Sequence, residues 1–386
     1  MKLFDEIKSD FELFCSNNKI SWLKVIKYLF LTLVLLIATL LLFGFIYEEI
    51  SRTNTEKYKP VGEMVDIGNG VKFHFNCVGS GSKTIILDAG IGDFSYSWSL
   101  VQSEIAKFAR VCSYDRSGMG FSQVSSSERE IDTIADELIK LTEVKKINSF
   151  IYVGHSFSGM TALNLASRYP DKIDGLILID PATNPGIDYQ LSFLNQQERA
   201  YLEAYMQKES NGASLEQQHE KSVAQSKMQL KAIPFLSRFG LLRLFLQSSV
   251  LESTIYKYLP KDLKNSYKAL LFKENNIKAV VNEYMLFTDN IESTYSKKYD
   301  FKDLPMLVIT AEKLKTFYAD KEVDDAPELV RIINKIHKSS QKDLLNFSSE
   351  ATQVIVKNSG HYVQIDQPDE VVSLIKIFYE QNFLSP

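Results

Sequence analysis

A serine lies at the centre of the segment Gly154-His155-Ser156-Phe157-Ser158-Gly159, between an apolar run and a stretch with helical spacing. The small residues Gly154 and Ser158 let the backbone approach closely through a tight turn, which lifts the Ser156 side chain above the preceding strand. This strand, turn and helix make a nucleophile elbow, from which a serine attacks a carbonyl carbon. We therefore predict Ser156 as the nucleophile. Ser158 is the weaker candidate because Met160, two residues later, is not small.

A serine hydroxyl becomes a useful nucleophile only when a base accepts its proton. His361, in Asn358-Ser359-Gly360-His361-Tyr362, follows the last predicted strand and precedes the last predicted helix. The chain order nucleophile, acid, histidine puts the base at this place. Of the other four histidines, His74 follows Asn69-Gly70 in a predicted hairpin and His155 lies in the elbow. His219 and His337 lie in helical stretches. We therefore predict His361 as the base.

Composition excludes several other chemistries. The 44 basic and 48 acidic residues leave a net charge of -4, so the chain lacks the basic excess of a nucleic-acid-binding protein. The cysteines, Cys15, Cys77 and Cys112, are not spaced as metal ligands, and no phosphate-binding loop or dinucleotide fingerprint occurs. We predict no metal and no cofactor. Cys77 and Cys112 could form one disulfide, but two packed thiols are the favoured interpretation.

Short apolar strands, each followed by a loop of small or polar residues, must position these side chains. The runs are Ile85 to Leu87, Arg110 to Tyr114, Phe150 to Val153 and Leu176 to Ile179. Helical stretches alternate with them, and Ile131 to Leu141 shows a clear apolar stripe. Alternating strands and helices predict an α/β fold with a mostly parallel sheet covered by helices on both faces.

The strand pattern stops after Pro181 and resumes at Leu304. We predict a helical cap at 183–303 that interrupts an α/β core at 61–182 and 304–386, and lies over the strand ends where such folds bind ligands. Within it, Pro234 to Leu246 is apolar almost all round. A helix packed on the main domain is the favoured interpretation, and a lid that lines an acyl pocket or contacts a bilayer is the alternative.

Near the start, residues 28–47 carry no charge, and a helix of that length rises about 30 Å, the thickness of a hydrocarbon core. The run has no small-residue cleavage site behind it, so we predict an uncleaved transmembrane helix and not a signal peptide. A polar tether at 48–60 should follow. The slight lysine excess in 1–27 favours a cytoplasmic amino terminus, which puts the large domain outside the cytoplasm of a single-pass protein in the cell membrane.

From about Val61 to the end, the chain resembles the serine α/β-hydrolases. The segment Asp88-Ala89-Gly90-Ile91-Gly92 is similar to the oxyanion loop of that family, and Asp115 to Ser122 is similar to its Asp-Arg-x-Gly-x-Gly-x-Ser loop. Ser359 to Pro368 resembles the catalytic histidine segment. The resemblance implies that the backbone N–H groups of Phe157 and Ile91 form an oxyanion hole.

The acid of the triad departs from the common pattern of this family. Its usual place after the seventh strand is occupied here by Thr310-Ala311-Glu312-Lys313-Leu314, with leucine where the carboxylate is expected. Some members carry the acid at the end of the sixth strand, and Asp180 occupies that position. We predict Asp180 as the acid, with Glu312 as the alternative.

Together these features predict a membrane-anchored hydrolase that cleaves a small ester or lipid-like substrate through an acyl-enzyme. The serine argues against epoxide hydrolase or dehalogenase chemistry, which in this fold uses a carboxylate nucleophile. Two alternatives remain open. One is an acyltransferase or thioesterase with the same triad, and the other is a catalytically silent ligand-binding module.

Overall fold

Eight strands form one sheet in the computed structural model, which describes residues 22–184, 186–209, 215–252, 254–313 and 327–384. The strands are β1 Glu63–Asp66, β2 Lys72–Val78, β3 Thr84–Asp88, β4 Arg110–Tyr114, β5 Phe150–His155, β6 Ile173–Ile179, β7 Met306–Ala311 and β8 Ala351–Val356. Their spatial order is β1-β2-β4-β3-β5-β6-β7-β8. β1 and β4 pair with β2 in antiparallel fashion and all other neighbours are parallel, which confirms the predicted α/β sheet.

The helices alternate with these strands. They are α1 Trp22–Thr53, α2 Gln102–Ile105, α3 Ile131–Val144, α4 Ser158–Arg168, α5 Ile187–Ser192, α6 Gln196–Glu209, α7 Leu215–Arg238, α8 Gln247–Glu252, α9 Lys261–Leu271, α10 Glu274–Met285, α11 Phe287–Tyr295, α12 Pro327–Asp343, α13 Val363–Asp366 and α14 Pro368–Phe383. Short 3₁₀ turns and one π-helical segment, Leu242–Leu246, connect some of them.

The core lies on both faces of the sheet because successive strand residues point to opposite sides. In β3, Ile86 packs with side chains of α3 and α4, whereas Ile85 and Leu87 pack with side chains of α2 and α14. All three are fully buried. Strands buried on both faces carry continuous apolar runs, and this is why the sequence revealed them.

The helical insertion, α5 to α11, lies between β6 and β7 within the range predicted as a cap. Its Tyr267 and Ile277 share a buried cluster with Phe94 and Met119, which belong to the loops after β3 and β4. The insertion therefore packs over the ends of these two strands, beside the loops that follow them.

The helix α1 is longer than the predicted span 28–47. By length and composition it can cross a membrane, the one helix among the described residues that can, and its apolar side chains are exposed, unlike those of a core helix. The helix continues to Thr53, into the first residues of the segment predicted as a polar tether at 48–60. The buried pairing of Glu48 with Arg243 provides a physical reason. Residues 1–21 lie outside the described part.

A disulfide joins Cys77 and Cys112, so the favoured prediction of two free thiols was wrong. The two residues face each other directly in the antiparallel pair β2–β4, with Cα atoms 4.0 Å apart. The strand of Cys112 was predicted, but the pairing of β2 with β4 depends on sheet order, which the local sequence does not contain. Cys15 lies outside the described residues.

Candidate active site

Ser156 occupies the turn between β5 and α4 with a backbone φ of 53°, a left-handed conformation that is uncommon for a side-chain-bearing residue. Gly154 and Gly159, which flank the turn, have no room for a side chain. A Cβ atom on Gly154 would lie 2.7 Å from the Ser158 carbonyl oxygen, and one on Gly159 would lie 2.6 Å from a Pro181 carbon. The turn therefore has the tight geometry predicted for an elbow.

Three side chains that the sequence placed far apart meet at this turn. The Ser156 Oγ lies 2.9 Å from His361 Nε2, and His361 Nδ1 lies 2.7 Å from Asp180 Oδ2. Ser156 comes from the end of β5, Asp180 from the end of the adjacent β6, and His361 from the loop after β8. The parallel strands deliver all three to the same edge of the sheet. In this arrangement the imidazole can accept the serine proton while the carboxylate holds its other nitrogen.

Asp180 is fully buried, and both of its carboxylate oxygens accept hydrogen bonds. Its Oδ1 accepts from the Ala311 N–H at 2.9 Å, from His337 Nε2 at 2.8 Å and from Gln341 Nε2 at 3.0 Å. Burial alone would raise the pKa of Asp180, but His337 and His361 outweigh it and hold this pKa well below its usual range. The carboxylate is therefore ionised wherever the protein is folded at ordinary pH.

His337 and Gln341 were not predicted as site residues, since both lie on α12 and His337 falls in a stretch with helical spacing. They are four residues apart, so they share one face of the helix and converge on one oxygen. The spacing of a histidine and a glutamine on the face of a helix next to a predicted strand was the only signal available.

Glu312, the alternative acid, has a different partner. Its Oε2 accepts the Asn358 N–H at 3.0 Å, and this bond lowers the pKa of Glu312. The carboxylate thus braces the loop that carries His361 without contacting the imidazole. Leu314 lies outside the described residues.

The loop after β3 lies beside the candidate nucleophile. A Cβ atom on Gly90 would lie 2.9 Å from His155 Nδ1 and 3.5 Å from the Ser156 Cβ, so only glycine fits there. The buried Arg116 donates to the carbonyl oxygens of Ala89 and Gly90, both at 2.7 Å, and the Ser158 hydroxyl donates to that of Ala89. Ser158 is fully buried in this contact, a poor position for a nucleophile.

The insertion reaches the same loop through Glu283 of α10. Glu283 accepts from Arg116 Nε at 2.7 Å and from the Gly92 N–H at 3.0 Å, and it is fully buried. Arg116 also pairs with Asp88 at 2.5 Å. This network, which the sequence did not predict, fixes the loop that carries Ile91, one of the two predicted oxyanion donors. Phe157, the other, precedes α4, where the first N–H groups have no acceptor within the helix.

His155, inside the elbow, supports the histidine loop. Its Nε2 lies 2.8 Å from the His361 carbonyl oxygen, and burial lowers the pKa of His155 to about 3. The ring is therefore neutral at physiological pH and donates one hydrogen bond to that carbonyl. Within the described ranges, no group of three or more His, Cys, Asp or Glu side chains is placed to hold a metal ion.

Part of this chain is similar in sequence to known proteins. Residues 83–231 match the family model described as alpha/beta hydrolase fold. The chain is 32% identical over 162 residues to "Uncharacterized protein YbdG" of Bacillus subtilis, a match that covers 41% of this chain and 49% of YbdG. It is 33% identical over 111 residues to "Putative carbamate hydrolase RutD" of Yersinia enterocolitica, covering 28% and 40%. The chain thus spans less than half the length of these two curated relatives.

Solved structures extend the likeness over most of the chain. An esterase from Thermogutta terrifontis superposes with a TM-score of 0.51 at 15% identity, covering 84% of this chain and 99% of the esterase. An epoxide hydrolase from Bacillus megaterium superposes with a TM-score of 0.56 at 16% identity, covering 82% and 100%. At such low identity the likeness shows the fold alone.

Proposed function

Because the chain belongs to the α/β-hydrolase fold family, we propose that it is a serine hydrolase that cleaves an ester-like carbonyl compound through an acyl-enzyme. The observation that carries the proposal is the continuous hydrogen-bonded relay from Ser156 through His361 to Asp180, at 2.9 Å and 2.7 Å. A surface histidine without a catalytic role would not require a buried carboxylate at one ring nitrogen and a serine with a strained backbone at the other.

In the first half-reaction, Ser156 Oγ attacks the carbonyl carbon while its proton moves to His361 Nε2. The tetrahedral intermediate collapses when the carbon–oxygen bond to the leaving group breaks, and His361 returns the proton to the departing oxygen. Water then repeats the sequence on the acyl-enzyme, giving its proton to His361, and the carboxylic acid leaves as Ser156 recovers its hydrogen. Asp180 remains ionised and stabilises the imidazolium that forms twice.

The N–H groups of Phe157 and Ile91 are the proposed donors to the negative oxygen of the intermediate. Support comes from Arg116, whose guanidinium engages the Ala89 and Gly90 carbonyl oxygens and restrains the peptide planes before Ile91. A donor that is fixed before the reaction loses no free energy to reorientation when the charge develops.

The proposed substrate is a carboxylic ester or a lipid-like ester. The name of the Yersinia relative points to a carbamate, whose carbonyl carbon is open to the same attack. We further propose that α1 spans the cell membrane once, with its amino terminus in the cytoplasm and the hydrolase domain outside. The exposed apolar surface of α1 supports the span, and the disulfide supports an extracytoplasmic domain because such bonds persist in oxidising compartments.

A fluorophosphonate probe tests the nucleophile, because it reacts with a base-activated serine and not with an ordinary one. The full-length protein in detergent should be labelled, and both Ser156→Ala and His361→Ala should abolish the labelling. Ser158→Ala is the matched control and should keep it. Labelling that survives Ser156→Ala contradicts the assignment, and a folded wild-type protein that is never labelled indicates the silent binding module.

Hydrolysis of p-nitrophenyl esters of graded chain length then defines the acyl preference. Product analysis with an added alcohol or thiol acceptor distinguishes hydrolysis from acyl transfer. Free acid as the main product supports the proposal, and acylated acceptor as the main product favours the acyltransferase alternative.

A further inference from the structure

The proposed anchor α1 makes backbone contact with the helical insertion. Gly44 of α1 and Gly240, just after α7, lie so close that a Cβ atom on Gly44 would overlap the Phe239 carbonyl oxygen and one on Gly240 would overlap the Gly44 carbonyl oxygen. Gly240 also has a φ of 65°, which suits glycine. Two helical segments that approach this closely form a specific contact, because any side chain would separate them.

Ion pairs continue this contact along the next turns of α1. Glu48 accepts from Arg243 Nε and Nη2 at 2.9 and 3.1 Å, and both side chains are only 6% exposed. One turn further, Arg52 lies 3.1 Å from Glu274 at the start of α10. Removing either partner of a buried pair leaves an uncompensated charge, so this docking has a strongly preferred geometry.

The contact fixes the depth of the insertion relative to α1. Gly44 lies inside the uncharged run 28–47, four residues before Glu48, which corresponds to about 6 Å along the helix. A segment that touches Gly44 therefore lies at the level of the apolar part of α1. The segment in question, residues 235–246, exposes large apolar side chains there: Phe235, Phe245 and Leu246.

We propose that residues 235–246 enter the bilayer leaflet from which α1 emerges, so that the insertion rests on the lipid surface as well as on the hydrolase core. This inference rests on the proposed membrane span. The exposed apolar side chains of residues 235–246 would contact lipid at the level where acyl chains meet headgroups. Arg238, which stacks on Phe45 and pairs with Glu274 at 3.2 Å, provides the polar border expected where a segment leaves the apolar layer.

The favoured prediction for Pro234 to Leu246 was a helix packed on the main domain. Leu236 and Leu242 do pack against the cluster that contains Phe94 and Met119. Phe235, Phe245 and Leu246 are not part of that cluster, and their side chains are exposed in the absence of lipid. The segment thus has two apolar faces, and the structure covers only one with protein.

Site-specific fluorescence quenching tests the inference in the full-length chain. A Cys15→Ala background leaves only the disulfide-bonded cysteines, so an environment-sensitive nitrobenzoxadiazole group can be attached to one introduced cysteine at a time. The reporting variants are Phe245→Cys and Leu246→Cys, whose parent side chains are 66% and 44% exposed. Leu36→Cys reports on the span, and Ile377→Cys, at an equally exposed site on α14, is the matched control.

Each protein is placed in phosphatidylcholine vesicles with and without nitroxide-labelled phosphatidylcholine. We expect the nitroxide lipid to quench positions 36, 245 and 246, and to leave position 377 unchanged. Quenching at 36 with none at 245 and 246 overturns this inference and leaves the anchor intact. Absence of quenching at 36 overturns the membrane span itself, and the inference with it.

Discussion

His337 Nε2 lies 2.8 Å from Asp180 Oδ1, on the carboxylate oxygen opposite to the one that faces His361. An ionised carboxylate only accepts hydrogen bonds, so both imidazoles donate to it. The acid of the proposed triad is thus held between two histidines. One belongs to the relay, and the other fixes the direction in which the carboxylate faces the relay.

We expect His337→Phe to lower kcat about 10- to 100-fold with little change in KM, because a hydrogen bond to a charged group contributes about 1.5–3 kcal/mol. His337→Gln keeps a donor at a similar distance and should restore most of the rate. Steady-state kinetics on one activated ester measure both. Equal losses in the two variants, or a wild-type kcat in His337→Phe, would show that His337 does not position Asp180.

The identity of the acid is tested by two isosteric substitutions. Asp180→Asn should lower kcat about 10⁴-fold, as in well-studied serine triads, because the amide favours the wrong tautomer of His361. Glu312→Gln should leave kcat near the wild-type value, since Glu312 contacts Asn358 and not the imidazole. The reverse pattern, with Glu312→Gln inactive, would reassign the acid.

The buried carboxyl group of Asp93 should make the free energy of unfolding depend on pH. It is buried beside Tyr362, whose hydroxyl lies 2.9 Å from Asp93 Oδ2, and burial raises the pKa of Asp93 from 3.8 to about 6. The folded chain therefore holds this proton over a pH range in which the unfolded chain has released it. Its contribution to stability is present below about pH 4 and is lost as the pH rises through about 6.

We expect Asp93→Asn to remove this loss, because the amide can still accept from Tyr362 and never ionises. Relative to wild type, the free energy of unfolding of the variant should rise by about 3 kcal/mol between pH 4 and pH 7. Denaturant unfolding in detergent micelles, followed by the fluorescence of the buried Trp98, measures it. Asp171→Asn, at an exposed position, is the control. A pH slope in Asp93→Asn identical to that of wild type would contradict the prediction.

The number of free thiols in the isolated protein should show on which side of the membrane the domain with the disulfide lies. With the domain outside the cytoplasm, protein denatured without reductant should take up one maleimide-polyethylene glycol group, at Cys15, and three after reduction. Gel mobility gives the count directly. A reporter fused after Pro386 should likewise be active outside the cytoplasm. Three groups before reduction would place the domain in a reducing compartment and contradict the orientation.

Most of the fold was predictable because it depends on local spacing. The buried strands and the helix after Ser156 have short-range apolar patterns, and the elbow is a contiguous motif. Asp180 could be proposed because it directly follows a predicted strand. Its meeting with His361, 181 residues away, follows from the adjacency of parallel strand ends.

What the sequence did not reveal depends on contacts between distant elements. His337 lies in the middle of α12, and apart from its spacing from Gln341 nothing in the sequence distinguishes it from a surface residue. Glu283 bonds Arg116 across 167 residues, and Cys77 meets Cys112 because β4 and not β3 lies beside β2. The residues after Tyr47 were predicted as a tether because the local sequence does not show that Glu48 and Arg52 pair with the insertion.

The Cys77–Cys112 bond has a consequence for how the chain matures. A chain with an odd number of cysteines can mispair by thiol–disulfide exchange, because a free thiolate attacks an existing bond. Cys15 precedes α1 and the bonded pair follows it. On the proposed topology the bilayer itself keeps the third thiol in a different compartment, so that only one pairing is accessible during oxidation. The anchor would in this way also act as a barrier that ensures correct oxidative folding of the domain it holds.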